Sequence, residues 1–295
     1  MRSGIPQVRS FFDKYGWNPG MALLLFIAVG LLSAGNAFAV NMALIEPSTL
    51  NAELSKWVIL DGRPKSEWQA GRIPGSLSFS WEDFTRTDEQ GIPFRIFPPK
   101  ALASTLGAMS IDEKTPIVVY GDADKSWGGE GWVCWALAWM GHEGPIRVLN
   151  GGVQAWRNAN LPMNAEALKG KARVSYNFKV APQMDIFTAE IEHPKTPMVL
   201  IDTRSTMEWL PGAIPGAIHI EWIKFYTGSD RRPLDASALK RLLNDNGVDI
   251  SKPIVYYCRG GIRSGYAWMV HQLAGLPGAR NYEGGMEAWW KLSGK

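Results

Sequence analysis

The cysteine at position 258 lies in surroundings that favour nucleophilic chemistry. It directly follows the apolar run Ile254-Val-Tyr-Tyr257 and precedes Arg259-Gly-Gly-Ile-Arg263-Ser264, after which a helical pattern continues to His271. The positive end of a helix and two nearby guanidinium groups both favour a thiolate over a thiol. The glycine-rich loop also offers backbone N–H groups, which bind anions at helix N-termini. We therefore predict that Cys258 is an anionic nucleophile.

Each of these residues also has a purely structural interpretation. Cysteine is often buried in cores, and most arginines are simply exposed charges, so Cys258, Arg259 and Arg263 could have no role in chemistry. We favour the nucleophile because a core cysteine would not be surrounded by arginine and glycine. The second cysteine, Cys134, lies in the apolar helical stretch 132–140 and is predicted to be a buried core thiol, unpaired with Cys258.

Composition excludes several classes of protein. The chain has 295 residues, 46% of them hydrophobic and 20% charged, which is typical of a globular protein with about two domains. A net charge of +3 gives no reason to expect nucleic-acid binding. Two cysteines cannot build a four-thiolate zinc site, and the histidines lack metal-binding spacing, so we expect no metal and no cofactor. The histidines are predicted to be surface or packing residues: His142, His193, His219 and His271.

Residues 1–39 have the layout of a secretory signal peptide. A leader containing Arg2, Arg9 and Lys14 precedes an uncharged apolar run, 21–32, and the small residues of a cleavage site end at Ala39. Because a membrane span needs about 20 apolar residues, we predict cleavage and a periplasmic protein. The alternative is an uncleaved anchor in the inner membrane, with the folded part facing the periplasm; only then would the chain contact a membrane.

The rest of the chain repeats itself once, in three blocks that occur in the same order. The first block shares Asp, Arg, Glu, Trp, Gly, Ile, Pro and Gly at constant spacing, and two later blocks share an apolar strand and a Gly-Gly…Ala-Trp motif. The two copies lie nearly half of the chain apart, which is far longer than the repeat of a solenoid, so the pattern indicates a duplicated domain. The paired blocks are 61–75 with 202–216, 116–120 with 253–257, and 151–156 with 284–289.

The repeated halves predict an α/β fold. Each half contains short apolar strands, such as Trp57–Leu60 and Met198–Ile201, followed by helical stretches near 131–140 and 264–273. Strands that alternate with helices form a parallel sheet covered on both faces, with ligands at the carboxyl ends of the strands.

The leader and the two repeated halves divide the chain into four segments. They are a signal peptide or anchor at 1–39, an N-terminal domain at 41–162, a linker at 163–183 and a catalytic C-terminal domain at 184–295.

The chain resembles the tandem-domain rhodaneses, a family of thiosulfate and 3-mercaptopyruvate sulfurtransferases. The residues that carry this resemblance are Cys258-Arg-Gly-Gly-Ile-Arg263 and the paired motifs described above, over roughly 45–292. The resemblance implies two tandem rhodanese-like domains, each a parallel β-sheet flanked by helices. It also implies that Cys258 takes sulfur from thiosulfate as a persulfide and passes it to cyanide or to a small or protein thiol. The substrate-binding residues would be Arg259, Gly260, Gly261, Ile262, Arg263 and Ser264, whose N–H groups stabilise the terminal sulfur.

The first half has no nucleophile at the equivalent position. Gly121 aligns with Cys258, and the following loop is four residues longer than its C-terminal counterpart. As in the family, we expect the N-terminal domain to be catalytically silent. Its loop 121–131 is predicted to form a wall of the active-site cleft and to shield the persulfide from water.

The sulfur donor is the least determined feature. In the family, Cys-Arg-x-Gly favours thiosulfate and Cys-Gly-x-Gly favours mercaptopyruvate, so Arg259 favours thiosulfate. Two positions depart from the thiosulfate pattern: Gly260 replaces a lysine, and Glu208 replaces an arginine. Arg263 could compensate for that loss of positive charge. A 3-mercaptopyruvate sulfurtransferase therefore stays an alternative.

Asp202 and Arg204 are predicted to have a structural role. The silent half retains the same pair, Asp61 and Arg63, so the pair does not follow the chemistry. An ion pair that braces the loop would explain both copies, since buried charges need partners.

Two other functions compete with sulfur transfer. Related phosphatases and arsenate reductases use Cys-x5-Arg, whereas Cys258 and Arg263 are spaced as Cys-x4-Arg, a loop better suited to one sulfur atom than to a phosphate. The second competitor is a non-enzymatic periplasmic carrier that holds a persulfide without turnover. Steady-state formation of thiocyanate distinguishes an enzyme from a carrier.

Overall fold

The structure, a computed structural model, describes residues 40–166, 172–276 and 278–293. Residues from Val40 onward form one compact unit. The predicted signal peptide or anchor at 1–39 lies outside the described residues. Within the described ranges, no helix is both long enough and apolar enough to span a membrane.

The N-terminal domain is built on a five-stranded, all-parallel sheet. Its strand order is β1-β7-β6-β2-β3, and Asp61 at the end of β2 is paired with Tyr120 at the end of β6. A small antiparallel hairpin, β4 with β5, extends from this domain. The strands are β1 (Met42–Ile45), β2 (Val58–Asp61), β3 (Leu77–Ser78), β4 (Thr85–Arg86), β5 (Arg95–Ile96), β6 (Ile117–Tyr120) and β7 (Ile146–Leu149).

Helices cover this sheet because its strands are apolar on both faces, as buried parallel strands are. All four residues of β6 are buried, for example. The helices are α1 (Pro47–Ala52), α2 (Lys65–Ala70), α3 (Trp81–Phe84), α4 (Pro99–Ala108), α5 (Gly129–Trp139) and α6 (Gly152–Asn158), with a 3-10 turn at Leu54–Lys56.

The C-terminal domain repeats the design with a four-stranded parallel sheet in the order β13-β12-β8-β9. A single parallel bridge between Asp185 and Asn281 takes the place that β1 holds in the first sheet. The strands are β8 (Val199–Asp202), β9 (Ile218–His219), β10 (Tyr226–Thr227), β11 (Arg232–Pro233), β12 (Ile254–Tyr257) and β13 (Ala279–Tyr282); β10 and β11 form an antiparallel hairpin.

The helices of the C-terminal domain follow the same order as those of the first domain. They are α7 (Thr188–Glu192), α8 (Thr206–Trp209), α9 (Ala236–Asp245), α10 (Ile262–Leu273) and α11 (Gly285–Leu292), with 3-10 turns at Pro182–Met184 and Trp222–Phe225. The predicted class, two α/β domains with parallel sheets flanked by helices, is confirmed. Strand β1 was not predicted, since its apolar residues continue the apolar pattern of the preceding segment.

The two domains meet along α5 and α10, whose backbones approach closely at glycines. A Cβ atom at Gly131 would lie 2.2 Å from Cα of Tyr266, and one at Gly265 would lie 3.0 Å from Cα of Trp132. Only hydrogen fits between backbones at these distances. Because α10 begins directly after the Cys258 loop, this crossing fixes that loop against the N-terminal domain.

Candidate active site

Cys258 lies at the carboxyl end of β12, at the start of the loop that leads into α10. Only 1% of its surface is exposed, and Ser264 Oγ lies 3.5 Å from its Sγ. Among the described residues, the backbone N–H groups of 259–264 donate to no carbonyl oxygen. The first N–H groups of a helix have no partner within it, so this loop presents free donors beside the sulfur, as an anion site requires.

Glycine allows the loop to turn this tightly. Gly261 has φ of +84°, a left-handed conformation, and forms the N-cap of α10. A Cβ atom there would lie 2.7 Å from the Glu283 carbonyl oxygen. The side chain of Asn281 on β13 donates to the Gly261 carbonyl at 3.0 Å. The neighbouring strand therefore holds the loop in place.

The backbone at the start of α11 forms hydrogen bonds with the Cys258 loop. The backbone N–H of Met286 donates to the Cys258 carbonyl at 2.9 Å, and that of Glu287 donates to the Arg259 carbonyl at 3.1 Å. A Cβ atom at Gly285 would lie 2.6 Å from the Cys258 carbonyl oxygen. This contact explains the Gly-Gly motif before α11, because the helix reaches the loop only without a side chain there.

Both arginines of the loop form ion pairs. Arg259 Nε donates to Glu287 Oε1 at 2.6 Å, and its side chain is 57% exposed at the rim. Arg263 is nearly buried, with a side chain 9% exposed, and its Nη1 and Nη2 donate to the two carboxylate oxygens of Glu208 at 2.5 and 2.8 Å. Each guanidinium therefore has a carboxylate partner before any substrate binds.

The pairing of Arg263 with Glu208 shifts the pKa of both groups. The hydrogen bonds from Arg263 lower the pKa of Glu208 to about 2, against the effect of partial burial. Burial by itself lowers the pKa of Arg263, but Glu208 and the Cys258 sulfur outweigh burial and raise it above its ordinary value. The Arg263 guanidinium thus interacts with both the Glu208 carboxylate and the Cys258 sulfur.

A cavity of about 270 Å³ opens above Cys258, and three aromatic side chains of the N-terminal domain form its walls. They are Trp81, Phe94 and Trp127; the other lining residues are Glu208, Cys258, Arg259, Gly260, Ile262 and Arg263. At about 30 Å³ per water molecule, this volume exceeds what a compact oxyanion needs. The cavity also accommodates an organic group.

Sequence reasoning located only part of this wall. The predicted loop 121–131 supplies Trp127, which is 56% exposed and lies 5.6 Å from the Arg263 guanidinium. Trp81 is the first residue of α3 and lines the cavity from the N-terminal domain. Phe94, on the β4–β5 hairpin, packs so closely that a Cβ atom at Gly260 would lie 2.6 Å from its Cβ. No sequence signal pointed to Phe94, because only the tertiary fold brings the hairpin to the loop.

Asp202 and Arg204 lie outside the cavity and form a buried ion pair. Arg204 Nη2 donates to Asp202 Oδ2 at 2.6 Å and to the Gly212 carbonyl at 2.7 Å. In the first domain Arg63 Nη2 donates to Asp61 Oδ2 at 2.6 Å and to the Gly71 carbonyl at 2.8 Å. Both copies brace the turn after the strand in the same way, and neither lines the cavity above Cys258.

The equivalent position of the first domain holds a carboxyl group where Cys258 has its thiol. A Cβ atom at Gly121 would lie 2.0 Å from Oε2 of Glu130, a residue of α5 that is buried. Its loop is closed by its own hydrogen bonds, such as Ser126 N–H to the Asp122 carbonyl at 2.7 Å. A side chain at position 121 would therefore collide with the Glu130 carboxyl group, and the catalytic silence of this domain stays a prediction.

No histidine is among the residues that line the described cavity above Cys258. His142 Nε2 is 2.9 Å from the Thr115 carbonyl oxygen, His219 stacks on Trp209, and the buried His271 shares a hydrogen bond with the Tyr256 hydroxyl. In the described ranges, no three His, Cys, Asp or Glu side chains cluster in a way that could hold a metal ion.

Comparison with known proteins places the chain among sulfurtransferases. The profile of the rhodanese-like domain matches twice, at residues 46–159 and 184–292. A sulfur carrier protein of Thermus thermophilus, TtuD, is 28% identical over 249 residues, which cover 77% of this chain and 85% of that protein. A putative thiosulfate sulfurtransferase of Haloferax volcanii is 28% identical over 250 residues, covering 77% and 83%.

A solved structure shares the fold. The crystal structure of SseA from Escherichia coli, described as a 3-mercaptopyruvate sulfotransferase, superposes with a TM-score of 0.74 at 19% identity. The superposition covers 84% of this chain and 98% of that one. The fold of this chain therefore matches nearly all of that protein.

Proposed function

We propose, because this chain belongs to the tandem-domain rhodanese family, that it transfers sulfane sulfur from thiosulfate to cyanide or a thiol through a persulfide on Cys258. Its relatives are named as sulfurtransferases and as a sulfur carrier protein, and these names support a role in handling sulfur. The observation that carries the proposal is the position of Cys258 on the floor of a cavity, beside backbone N–H groups without a carbonyl partner.

The first step is attack of the Cys258 thiolate on the outer sulfur of thiosulfate. A new S–S bond forms to Cys258, the S–S bond of thiosulfate breaks, and its electron pair leaves with sulfite. The terminal sulfur of the resulting persulfide carries the negative charge. The free N–H groups of 259–264 and the Arg263 guanidinium lie where they can stabilise that charge.

The second step returns the enzyme to its starting state. Cyanide or a thiolate attacks the terminal sulfur, the persulfide S–S bond breaks, and the electron pair returns to Cys258 as a thiolate. Trp81, Phe94 and Trp127 enclose the cavity in which this sulfur would lie. Apolar walls of this kind restrict water and so protect the persulfide between the two steps.

Arg259 supports thiosulfate as the donor, since a guanidinium at the rim attracts a small dianion. The aromatic walls and the pairing of both arginines support 3-mercaptopyruvate as a second candidate, because its organic body needs less positive charge. A carrier without turnover is the third candidate, in keeping with the name of the Thermus thermophilus relative.

One pair of measurements distinguishes these candidates. Purified protein is incubated with thiosulfate or with 3-mercaptopyruvate, and Cys258 is examined by mass spectrometry for the addition of one sulfur atom. Thiocyanate production is then followed after cyanide is added. We expect a persulfide and many turnovers with thiosulfate. One equivalent of persulfide without turnover would indicate a carrier, and aryl phosphatase activity without any persulfide would overturn sulfur transfer.

The location in the cell is part of the proposal. The sequence pattern of residues 1–39 supports export to the periplasm, with a membrane anchor as the alternative. Sequencing the N-terminus of the protein recovered from a periplasmic fraction tests this: a start after Ala39 supports export and cleavage, whereas recovery of the uncut chain in the membrane fraction supports the anchor.

A further inference from the structure

The Arg263 guanidinium is held from several sides in the absence of substrate. Glu208 accepts from both of its terminal nitrogens, at 2.5 and 2.8 Å, and the ring of Trp127 lies 5.6 Å from its central carbon. The Cys258 sulfur adds a further interaction. A bidentate pair with a carboxylate uses the same paired N–H geometry that would otherwise bind a sulfonate.

Glu208 is itself fixed and cannot readily swing away. It is the third residue of α8, and Ser205 Oγ donates to its Oε2 at 2.8 Å while the Ser205 backbone N–H donates to the same oxygen at 3.2 Å. This is a capping box, in which the carboxylate closes the start of the helix. If Glu208 moved away to release Arg263, both the ion pair and the hydrogen bonds of the helix cap would be lost.

We propose that Glu208 is a donor-selectivity residue, which keeps Arg263 from binding the sulfonate end of an inorganic donor and so favours organic persulfides over thiosulfate. The proposal rests on the sulfur transfer through Cys258 proposed above and ranks its donors: thiosulfate still supports turnover, but less efficiently than an organic persulfide. Arg263 then serves the sulfur on Cys258 rather than the leaving group of the donor. Thiosulfate would be attracted mainly by Arg259, which is exposed and already paired with Glu287.

The cavity fits an organic persulfide in two respects. Its walls are the rings of Trp81, Phe94 and Trp127, which provide apolar contact for an organic body. Its two guanidinium groups are balanced by Glu208 and Glu287, so the site does not favour a dianion strongly. Transfer from such a donor balances: the Cys258 thiolate attacks the outer sulfur, and the donor leaves as an organic thiolate.

The test compares two donors in the intact protein and in Glu208→Gln. Glutamine can still close the helix cap but no longer neutralises Arg263. We expect kcat/KM for thiosulfate to rise roughly tenfold, about 1.4 kcal/mol, mainly through a lower KM, because the freed guanidinium can form charge-assisted hydrogen bonds with the donor. With glutathione persulfide as the organic probe, we expect a change of less than about twofold.

Two further variants control for indirect effects. Glu221→Gln makes the same change at a carboxylate that accepts a hydrogen bond from the Thr206 N–H, and it should leave the donor ratio unchanged. Arg263→Ala combined with Glu208→Gln should abolish the gain that Glu208→Gln gives by itself. Glu208→Ala, which also removes the carboxylate, keeps the proposal testable if Glu208→Gln folds poorly, because it should raise kcat/KM for thiosulfate in the same way.

The outcomes separate this proposal from the proposed function. If Cys258 acquires sulfur but Glu208→Gln leaves the ratio of the two kcat/KM values unchanged, the selectivity proposal is overturned and sulfur transfer stands. A gain from Glu208→Gln that persists when Arg263 is also replaced by alanine would overturn it as well, because the gain would then not depend on Arg263. If no donor transfers sulfur to Cys258, both proposals fail.

Discussion

The two cysteines of the chain show how position determines the chemistry of one residue type. Cys258 lies at a strand end beside free N–H groups and opens into a cavity. Cys134 is buried within α5, and burial raises the pKa of its thiol well above the ordinary value, with a smaller contribution from Glu130. A neutral thiol without solvent access is chemically inert. Both cysteines are unpaired in the structure.

At this scale we predict opposite effects of two serine substitutions. Cys258→Ser should reduce sulfur transfer to the background level, at least about a thousandfold, since serine is not a comparable nucleophile at neutral pH. Cys134→Ser should keep most of the activity and lose about 1–3 kcal/mol of stability, because it buries a hydroxyl in an apolar helix interface. Thiocyanate formation and urea unfolding measure the two effects. Equal losses of activity in both variants would contradict the assignment.

The elements that position the nucleophile are α10 and α5, which cross where glycine replaces a side chain. The loop between β12 and α10 is held in place by the start of α10. This part of α10 packs against α5, where Gly131 and Gly265 let the two backbones approach closely. Ridges of larger side chains normally keep packed helices about 8–10 Å apart. Glycine at the crossing allows a closer approach, and with it the contact between domains.

At the scale of elements we predict that Gly131→Ala destabilises the protein by about 3 kcal/mol. The added methyl group would lie 2.2 Å from the backbone of Tyr266, which cannot rotate away, so the helices must separate. The gain in helix propensity, about 1 kcal/mol, is too small to offset this. Urea unfolding measures the change.

The matched control is Gly71→Ala. A methyl group there would meet only the end of Met163, at 3.9 Å, and the backbone is extended, so we expect a change below about 0.5 kcal/mol. If the two substitutions had equal effects, the close crossing would not be a source of stability.

At the scale of the whole molecule, the two domains that follow Val40 form one compact unit, and acidic groups and aromatic side chains are buried between them. Glu283 of the second domain accepts a hydrogen bond from the Ile96 backbone at 2.5 Å and forms an ion pair with Arg95, both on the β4–β5 hairpin. This contact holds Phe94 over the Cys258 loop. The N-terminal domain thus completes the cavity above Cys258, although its own equivalent position holds Glu130 and Gly121.

At this scale we predict that stability falls as the pH rises through neutrality. Burial raises the pKa of Glu130 to about 7 from an ordinary value of 4.5, despite hydrogen bonds from its own backbone and from Ser126. The folded state therefore keeps the proton over a range in which the unfolded chain has lost it. This contribution is complete below the unfolded pKa and is lost as the pH rises through the folded pKa.

Glu130→Gln should reduce the difference in unfolding free energy between pH 5 and pH 8 by about 2–3 kcal/mol. Urea unfolding of the parent and the variant at both pH values gives that difference. Glu143→Gln, at an exposed carboxyl, should leave it unchanged. A parent protein that becomes more stable towards pH 8, or an identical pH dependence in Glu130→Gln, would show that Glu130 ionises without cost in the folded state.

Much of this molecule follows from local sequence. The repeat, the strand and helix periods and the Cys258-Arg-Gly-Gly-Ile-Arg263 loop predict two parallel α/β domains and one nucleophile, because each of these features depends on neighbours along the chain. The Asp202–Arg204 pair could also be predicted from the sequence, since the same two residues occur at the same spacing in both halves. These are properties that a short segment carries wherever it is placed.

The contacts that close the cavity around the Cys258 loop were decided by the tertiary structure. Phe94 reaches Gly260, and Glu208 reaches Arg263, across gaps of many residues in the chain. No periodicity or motif encodes such contacts, because they depend on how the two domains pack against each other. The loop that carries Cys258 is therefore a local property of the sequence, whereas the charge and shape of the cavity around it depend on how the chain folds.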